Sequence, residues 1–381
     1  MHHLSPPPLD LVLIGHPFAP TGVGQLIRST IASLRAVSLP FRVLDCHGFF
    51  PEDTTMALDL ARRPGPGINI FHINGNEVEA VLNKIGSPPP GSVNIIFPAW
   101  ELPVYPSIWA RQLERFDEVW GFSEFVTSAL RGTVRRPVFL APLSVAPEIR
   151  EYRSRSELGI PGAAFVFFFS FDCSSFAERK NPWAVIEAFR RLRELRPWAE
   201  VRLVLKASGG AQAPAVLDRL RKEIAALGTH ALLIDQALDT DTMKSLLGAC
   251  DGYISLHRSE GFGFCLAEAM YFGKPVIATA YSGNLDFMTP ETALLVNHRL
   301  VPVPQGAYPY GDGQFWAEPS IDEAVDHMVH LVDDPGEGRR RGARASAWIR
   351  RQLSPLTIGL SYRARLEAIV RKQEVTQETV R

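Results

Sequence analysis

Two glutamates, Glu260 and Glu268, stand seven residues apart in the stretch Ser259-Glu260-Gly261-Phe262-Gly263-Phe264-Cys265-Leu266-Ala267-Glu268-Ala269-Met270. Gly261 and Gly263 lie between them, just ahead of a run of good helix formers. Glycine has no Cβ, so a backbone built from it can approach a ligand closely. The free N–H groups that open the following helix favour a phosphate or sugar hydroxyls. Glu268, more than a turn inside that helix, is placed to accept hydrogen bonds from a ribose diol. Glu260, ahead of the turn, would face the other end of the same ligand. The competing reading is a pair of solvated carboxylates around an ordinary turn.

Cations complement this pair. Arg179-Lys180-Asn181-Pro182 falls between a predicted strand and a predicted helix, with Pro182 suited to the first helical position. Arg by bidentate contact and Lys as a point charge would suit a diphosphate; a surface charge pair is the alternative. Lys206 closes the next predicted strand ahead of Ser208-Gly209-Gly210 and adds a third cation to the same rim. In the first half of the chain, Gly22-Val23-Gly24 opens a helix. A dinucleotide fingerprint needs Gly-x-Gly-x-x-Gly directly after a strand. Here Ile27 takes the third glycine's place and residues 16–21 intervene, which leaves a glycine loop lining a cleft. His72-Ile73-Asn74 and Trp100-Glu101-Leu102-Pro103 each follow a predicted strand and point at that cleft. A purely structural role is the competing reading for His72.

Strand–helix alternation must position these residues. Short apolar runs predict strands near residues 9–15, 41–45, 68–73, 93–97, 118–121 and 138–141, with helices over 25–37, 77–85 and 124–131. Residues 142–162, rich in proline, glycine and charge, read as a linker. Alternation restarts with strands near 165–170, 201–206, 231–234, 253–256, 274–278 and 292–296, and helices over 182–195, 214–227 and 241–249. Residues 301–315 read as a long Pro/Gly/Tyr loop, followed by helices from about 321, 336 and 355. The pattern predicts an α/β protein of two doubly wound, Rossmann-like parallel-sheet domains, spanning 1–145 and 146–354, with a ligand cleft between them.

Composition supports this and excludes other classes. A chain of 381 residues exceeds one ordinary core. Its 46% apolar and 21% charged content is that of a globular protein. A net charge of −1 argues against nucleic-acid binding. Cys46, Cys173, Cys250 and Cys265 are scattered without a Cys-x-x-Cys pair, which argues against a disulfide framework or zinc site and for a reducing cytosol. Residues 1–8 lack the marks of a signal peptide, and no run of about 18 apolar residues predicts a membrane span. Arg339, Arg340, Arg341, Arg344, Arg350 and Arg351 form a basic cluster, read as a solvated face or as a peripheral contact with anionic lipid.

Over residues 179–288 the chain resembles the retaining glycosyltransferases of family 4, which have the GT-B fold. The resemblance rests on Arg179-Lys180-Asn181-Pro182, Glu260-x7-Glu268, and Gly273-Lys274-Pro275-Val276-Ile277-Ala278 followed by Ser282-Gly283-Asn284. Trp100-Glu101-Leu102-Pro103 and Glu118-Val119-Trp120-Gly121-Phe122-Ser123 look like one branch of that family. The resemblance implies a nucleotide-sugar donor held by the second domain. Glu268 would hold the ribose; Glu260 and the backbone of Gly261, Phe262, Gly263 and Phe264 would hold the sugar ring. Lys180 would neutralise the diphosphate with no metal or other cofactor, and Gly22 and Gly24 would close over the phosphates. It further implies that the segment 355–381 packs back on the first domain. Two departures stand out. Many members carry an Arg where this chain has Ser174, leaving Arg179 or Lys206 to substitute. Many also carry His-x-His where this chain has His72-Ile73-Asn74, so Asn74 contributes hydrogen bonding at most.

The expected activity is transfer of a sugar, with retention, from a nucleotide-diphosphate sugar to a glycan or lipid-linked glycan. The rivals are a GT-B-fold epimerase, a phosphorylase using pyridoxal phosphate, and a catalytically inactive sugar-binding subunit.

Overall fold

The computed structural model of the chain describes residues 10–19, 21–48 and 58–379. The signal-peptide reading of residues 1–8 lies outside the described residues, as do Pro20 of the first turn and the last two residues of the terminal segment. The chain divides into two compact units: residues 1–100, 104–144 and 352–381, and residues 101–103 and 145–351.

The first unit runs β1 (Leu11–Gly15), α1 (Gly22–Ala36), β2 (Arg42–Asp45), β3 (Ile68–Phe71), α2 (Val78–Ile85), β4 (Val93–Ile96), α3 (Ser107–Leu113), β5 (Glu118–Gly121), α4 (Glu124–Arg131) and β6 (Val138–Leu140). The strands form one parallel sheet in the order β2-β1-β3-β4-β5-β6. All of β1 and β3 is buried, as expected of parallel strands covered on both faces; both are apolar but for Asn69, which is satisfied by the Gly65 backbone. The strand order reverses between β1 and β3, a switch point where loops at the carboxyl ends diverge.

The second unit runs β7 (Phe165–Asp172), α5 (Ala177–Lys180), α6 (Pro182–Leu195), β8 (Val201–Ser208), α7 (Pro214–Ala226), β9 (Ala231–Ile234), α8 (Thr240–Ala249), β10 (Gly252–Ser255), α9 (Phe264–Tyr271), β11 (Val276–Thr279), β12 (Leu294–Val296), β13 (His298–Pro302), β14 (Phe315–Pro319), α10 (Ile321–Asp333) and α11 (Pro335–Gln352). Its parallel sheet has the order β12-β11-β10-β7-β8-β9, with the switch point between β7 and β10. Phe167, Phe168 and Phe169 on β7 are all but inaccessible and form the centre of this core. The last helix, α12 (Pro355–Thr379), belongs to the first unit. There Gly359 lies so close to α1 that a Cβ would sit 2.2 Å from the Ser33 carbonyl oxygen. Tyr362 Oη donates to the Pro142 carbonyl at 2.7 Å.

Three local expectations are corrected. The loop expected over residues 301–315 is narrowed to 303–314 and closes a hairpin: β13 and β14 pair antiparallel from His298 opposite Pro319 to Pro302 opposite Phe315. The prolines and glycines between them masked the hairpin. Helix α1 begins at Gly22, three residues earlier than the apolar periodicity indicates, because Thr21 caps it and accepts from the Gly24 N–H at 3.2 Å. Gly22 and Gly24 are therefore first-turn helical residues and not a loop. Gly24 is needed for packing, since a Cβ would sit 2.1 Å from the Ala19 carbonyl. Lastly, residues 101–103 cluster with the second unit, although the sequence reading places Glu101 in the first domain.

Candidate functional site

The carboxyl ends of β7 and β10 flank the switch point of the second unit, the usual place for a ligand on an open α/β sheet. The chain leaving β7 passes through α5 and delivers Arg179 and Lys180. The chain leaving β10 delivers Ser259 and Glu260. The turn geometry is costly: Phe176, Asn181 and Ser282 adopt φ of 63°, 53° and 75°. Such conformations cost about 1–3 kcal/mol for non-glycine residues and concentrate where function over-determines the backbone. Asn181 is held by donating to the Leu256 carbonyl at 3.0 Å, and Ser282 Oγ accepts from the Glu260 N–H at 2.8 Å.

Glu260 is the hub. Its Oε1 lies 2.5 Å from Lys180 Nζ and its Oε2 accepts from Arg179 at 3.3 Å. Burial alone would raise the Glu260 pKa, but Lys180 and Arg179 outweigh it and hold the carboxyl at about 2. A carboxylate so weakly basic is a poor proton acceptor at neutral pH and a good acceptor of hydroxyl hydrogen bonds.

Arg179 is not a rim cation free for bidentate contact. It is buried at 3% exposure, donates to the Ser259 carbonyl at 2.8 Å, and lies 3.9 Å from Glu101. Burial opposes its charge, but Glu101 and Glu260 more than compensate and keep it cationic. Tyr308, in the loop joining β13 to β14, donates to Glu101 and stacks over Arg179 with 5.8 Å from the guanidinium to the ring centroid. The hairpin thereby brings in a residue that no sequence motif marks.

Lys206 is also buried, and its Nζ donates to the adjacent Ala207 carbonyl at 2.9 Å. Burial draws its pKa down, partly opposed by Cys173, Asp172 and Asp235. Ser174 donates through its N–H and hydroxyl to Asp172. Lys180, with a side chain 19% exposed, is thus the accessible cation next to Glu260.

Of the two glycines in the turn, Gly263 is the one with positive φ, 95°, and it opens α9 without a side-chain cap. Phe262 and Phe264 pack edge to face, with centroids 4.9 Å apart. Gly261 leads into this turn from Glu260. Glu268, on α9, is buried at 4% and ion-paired with Lys244 of α8. Lys244 was not flagged by the sequence; its only signal is a lone cation in the helix preceding β10. His257 was also missed. It is fully buried, shares a hydrogen bond with Asn284 at 3.2 Å, and is kept neutral by burial.

In the first unit, His72 is fully buried and bonded to Thr30 at 2.9 Å. Burial pushes its pKa down to about 3, so the imidazole is neutral at pH 7. Asn74 accepts from the Ala99 N–H at 2.8 Å and shapes the turn after β3. The arginine cluster is largely engaged within the second unit: Arg341 and Arg344 pair with Glu337, and Arg350 lies 3.7 Å over the Tyr271 ring. Among the described residues no helix is long and apolar enough to cross a membrane. A surface cavity of about 440 Å³ lined by Glu178, Trp183, Arg219 and Arg258 holds none of Lys180, Glu260 and Glu268.

Residues 153–305 match the family model described as Glycosyl transferases group 1. That span contains Lys180, Glu260, Gly263 and Glu268 and marks the second unit as carrying a glycosyltransferase domain. Trehalose synthase of Pyrococcus horikoshii is 25% identical over 191 residues, 45% of this chain and 38% of that protein. The chain thus aligns with less than half the length of this curated relative. Among solved structures, sucrose-phosphate synthase of Thermosynechococcus elongatus superposes with a TM-score of 0.70 at 15% identity, over 96% of this chain and all of that one. HepE of Anabaena, solved in complex with UDP-glucose, superposes with a TM-score of 0.69 at 13% identity, over 94% of this chain and all of that one. At such identities the likeness establishes the fold: a two-unit α/β protein of the GT-B type.

Proposed function

We propose that this protein is a retaining, family 4-type glycosyltransferase that moves a sugar from a nucleotide-diphosphate sugar to a glycan or lipid-linked glycan. The observation that carries this reading is the Lys180–Glu260 ion pair at the switch point, followed within one loop and helix by the uncapped start of α9 and by Glu268. Glu268, oriented by Lys244, accepts the ribose hydroxyls. The N–H groups opening α9 and the Lys180 ammonium receive the diphosphate. Glu260 accepts hydroxyls of the transferred sugar.

The acceptor hydroxyl oxygen attacks the anomeric carbon as its bond to the departing phosphate oxygen breaks. The hydroxyl proton passes to that phosphate, on the same face, and the nucleoside diphosphate leaves. Glu260 is too weakly basic to take the proton, which supports this front-face route. The chain's contribution is positioning and charge stabilisation. The complex of HepE with UDP-glucose makes UDP-hexoses the first donors to test.

The test is a thermal-shift panel of UDP, GDP, ADP and dTDP sugars, because a ligand that binds only the folded state raises the melting temperature. It is followed by transfer assays on the donor that scores. Conversion of the donor to a second nucleotide sugar without acceptor would replace the transferase by an epimerase. Absence of any donor consumption would leave a sugar-binding subunit.

A further inference from the structure

Three segments far apart in sequence converge at the carboxyl ends of the neighbouring strands β2, β1 and β3. His16 follows β1, Cys46 and His47 follow β2, and Glu77 stands just before α2 after β3. His16 Nε2 lies 3.2 Å from Glu77 Oε1 and 4.0 Å from Cys46 Sγ, and His47 Nε2 lies 3.8 Å from the same Glu77 oxygen. The ligand-type atoms of His16, Cys46 and His47 all fall within 4.8 Å of one another. Zinc ligands, about 2.0–2.3 Å from the ion, stand roughly 3.3–3.8 Å apart at tetrahedral angles. Contraction of up to about an ångström would bring this cluster to a coordination shell.

We propose that His16, Cys46, His47 and Glu77 form a binding site for a single divalent transition-metal ion, zinc by preference. The donor set is two imidazoles, one thiolate and one carboxylate, a borderline-soft combination that suits tetrahedral zinc. A Cys46 thiolate and the Glu77 carboxylate neutralise the ion's charge; binding releases the Cys46 thiol proton to solvent.

The surroundings are organised for this. Glu77 Oε2 accepts from the Asn74 N–H at 2.8 Å, which fixes the carboxylate while leaving Oε1 aimed at both histidines, as outer-shell bonds do at metal sites. The two imidazoles stack with centroids 3.9 Å apart, so one ring turns about its side-chain bonds for both in-plane lone pairs to meet the ion. Asp45, next to Cys46, holds a buried carboxylate oxygen without a hydrogen-bond partner among the described residues. His47 is the exposed member, its side chain 40% accessible, and provides the entry path. Four protein ligands make a closed site, the structural type; it would pin three strand ends of the first unit.

The test uses the full chain, stripped by chelator and titrated with Zn²⁺ and, separately, Co²⁺. One equivalent should bind, and Co²⁺ should give a sulfur-to-cobalt charge-transfer band that Cys46→Ser abolishes. His47→Ala, at an exposed side chain, should keep the fold by circular dichroism yet weaken binding by at least about tenfold, the loss expected even for an outer-shell partner. No saturable binding, affinity unchanged in His47→Ala, or a cobalt spectrum lacking the charge-transfer band would overturn the proposal. The last two results would assign the ion to other ligands such as His2 and His3.

Discussion

Lys180 Nζ lies 2.5 Å from Glu260 Oε1, a contact between residues eighty positions apart. Each comes from the segment that follows one of two adjacent strands, and together they place an ion pair at the switch point. Lys180→Ala removes the accessible cation and should lower turnover roughly 10²–10³-fold, the scale of one preorganised electrostatic contact. Steady-state kinetics would check it. The loss should fall in kcat; a change confined to KM would mean that Lys180 binds donor and transition state equally.

Arg179 has the opposite task. It sits buried between Glu260 and Glu101, so Arg179→Met leaves two carboxylates without their shared cation. Breaking a buried pair on one side costs about 3–5 kcal/mol, and denaturant unfolding should show a loss of that order. A loss below about 1 kcal/mol would show that Glu101 and Glu260 reach water or another cation in its absence.

Acid should destabilise the fold in two overlapping windows. Glu260 is held at about 2, below its ordinary 4.5. It therefore stabilises the fold above pH 4.5, by roughly 3 kcal/mol, and that contribution fades as pH falls from 4.5 towards 2. His72 is pushed by burial to about 3 from its ordinary 6.5. Below pH 6.5 the unfolded chain takes up a proton that the folded chain refuses until about pH 3, so stability again falls with pH. Unfolding series from pH 7 to 3 should show Glu260→Gln flattened in the lower window and His72→Gln in the upper one. Parallel curves for wild type and both variants would refute the assignment.

How much of this was legible in the sequence follows from the range of the interactions. Strands such as residues 118–121 and helices such as residues 182–195 could be read to the residue, because buried parallel strands are runs of Val, Ile and aromatics and Pro182 marks its own helix start. The Glu260–Glu268 spacing was equally plain, being local. The Arg179–Glu101–Tyr308 contacts were not: Tyr308 and Glu101 are 207 residues apart, and Tyr308 lies in the loop of a hairpin whose strands composition does not mark. Gly22 and Gly24 misled for a related reason. Glycines close to a strand suggest an open turn, whereas here Thr21 caps the helix across them. The same long range hid Lys244 behind Glu268.

Tyr308 therefore carries a prediction of its own. Tyr308→Phe removes the hydroxyl that donates to Glu101 and should cost about 1.5–3 kcal/mol, the value of a hydrogen bond to a charged group. Ring packing on Phe176, with centroids 4.8 Å apart, should survive. Tyr308→Ala should cost more than Tyr308→Phe; equal melting temperatures would mean the ring is idle.

The most direct measurement is calorimetric titration of the full chain with UDP-glucose and the other nucleotide sugars, alongside Glu268→Ala and Lys180→Ala. At least one donor should bind the wild type, with Glu268→Ala weakening it about tenfold or more while circular dichroism shows the fold intact. Saturable binding unaltered by both substitutions, or no binding of any nucleotide sugar, would contradict a donor site at the β7–β10 switch point.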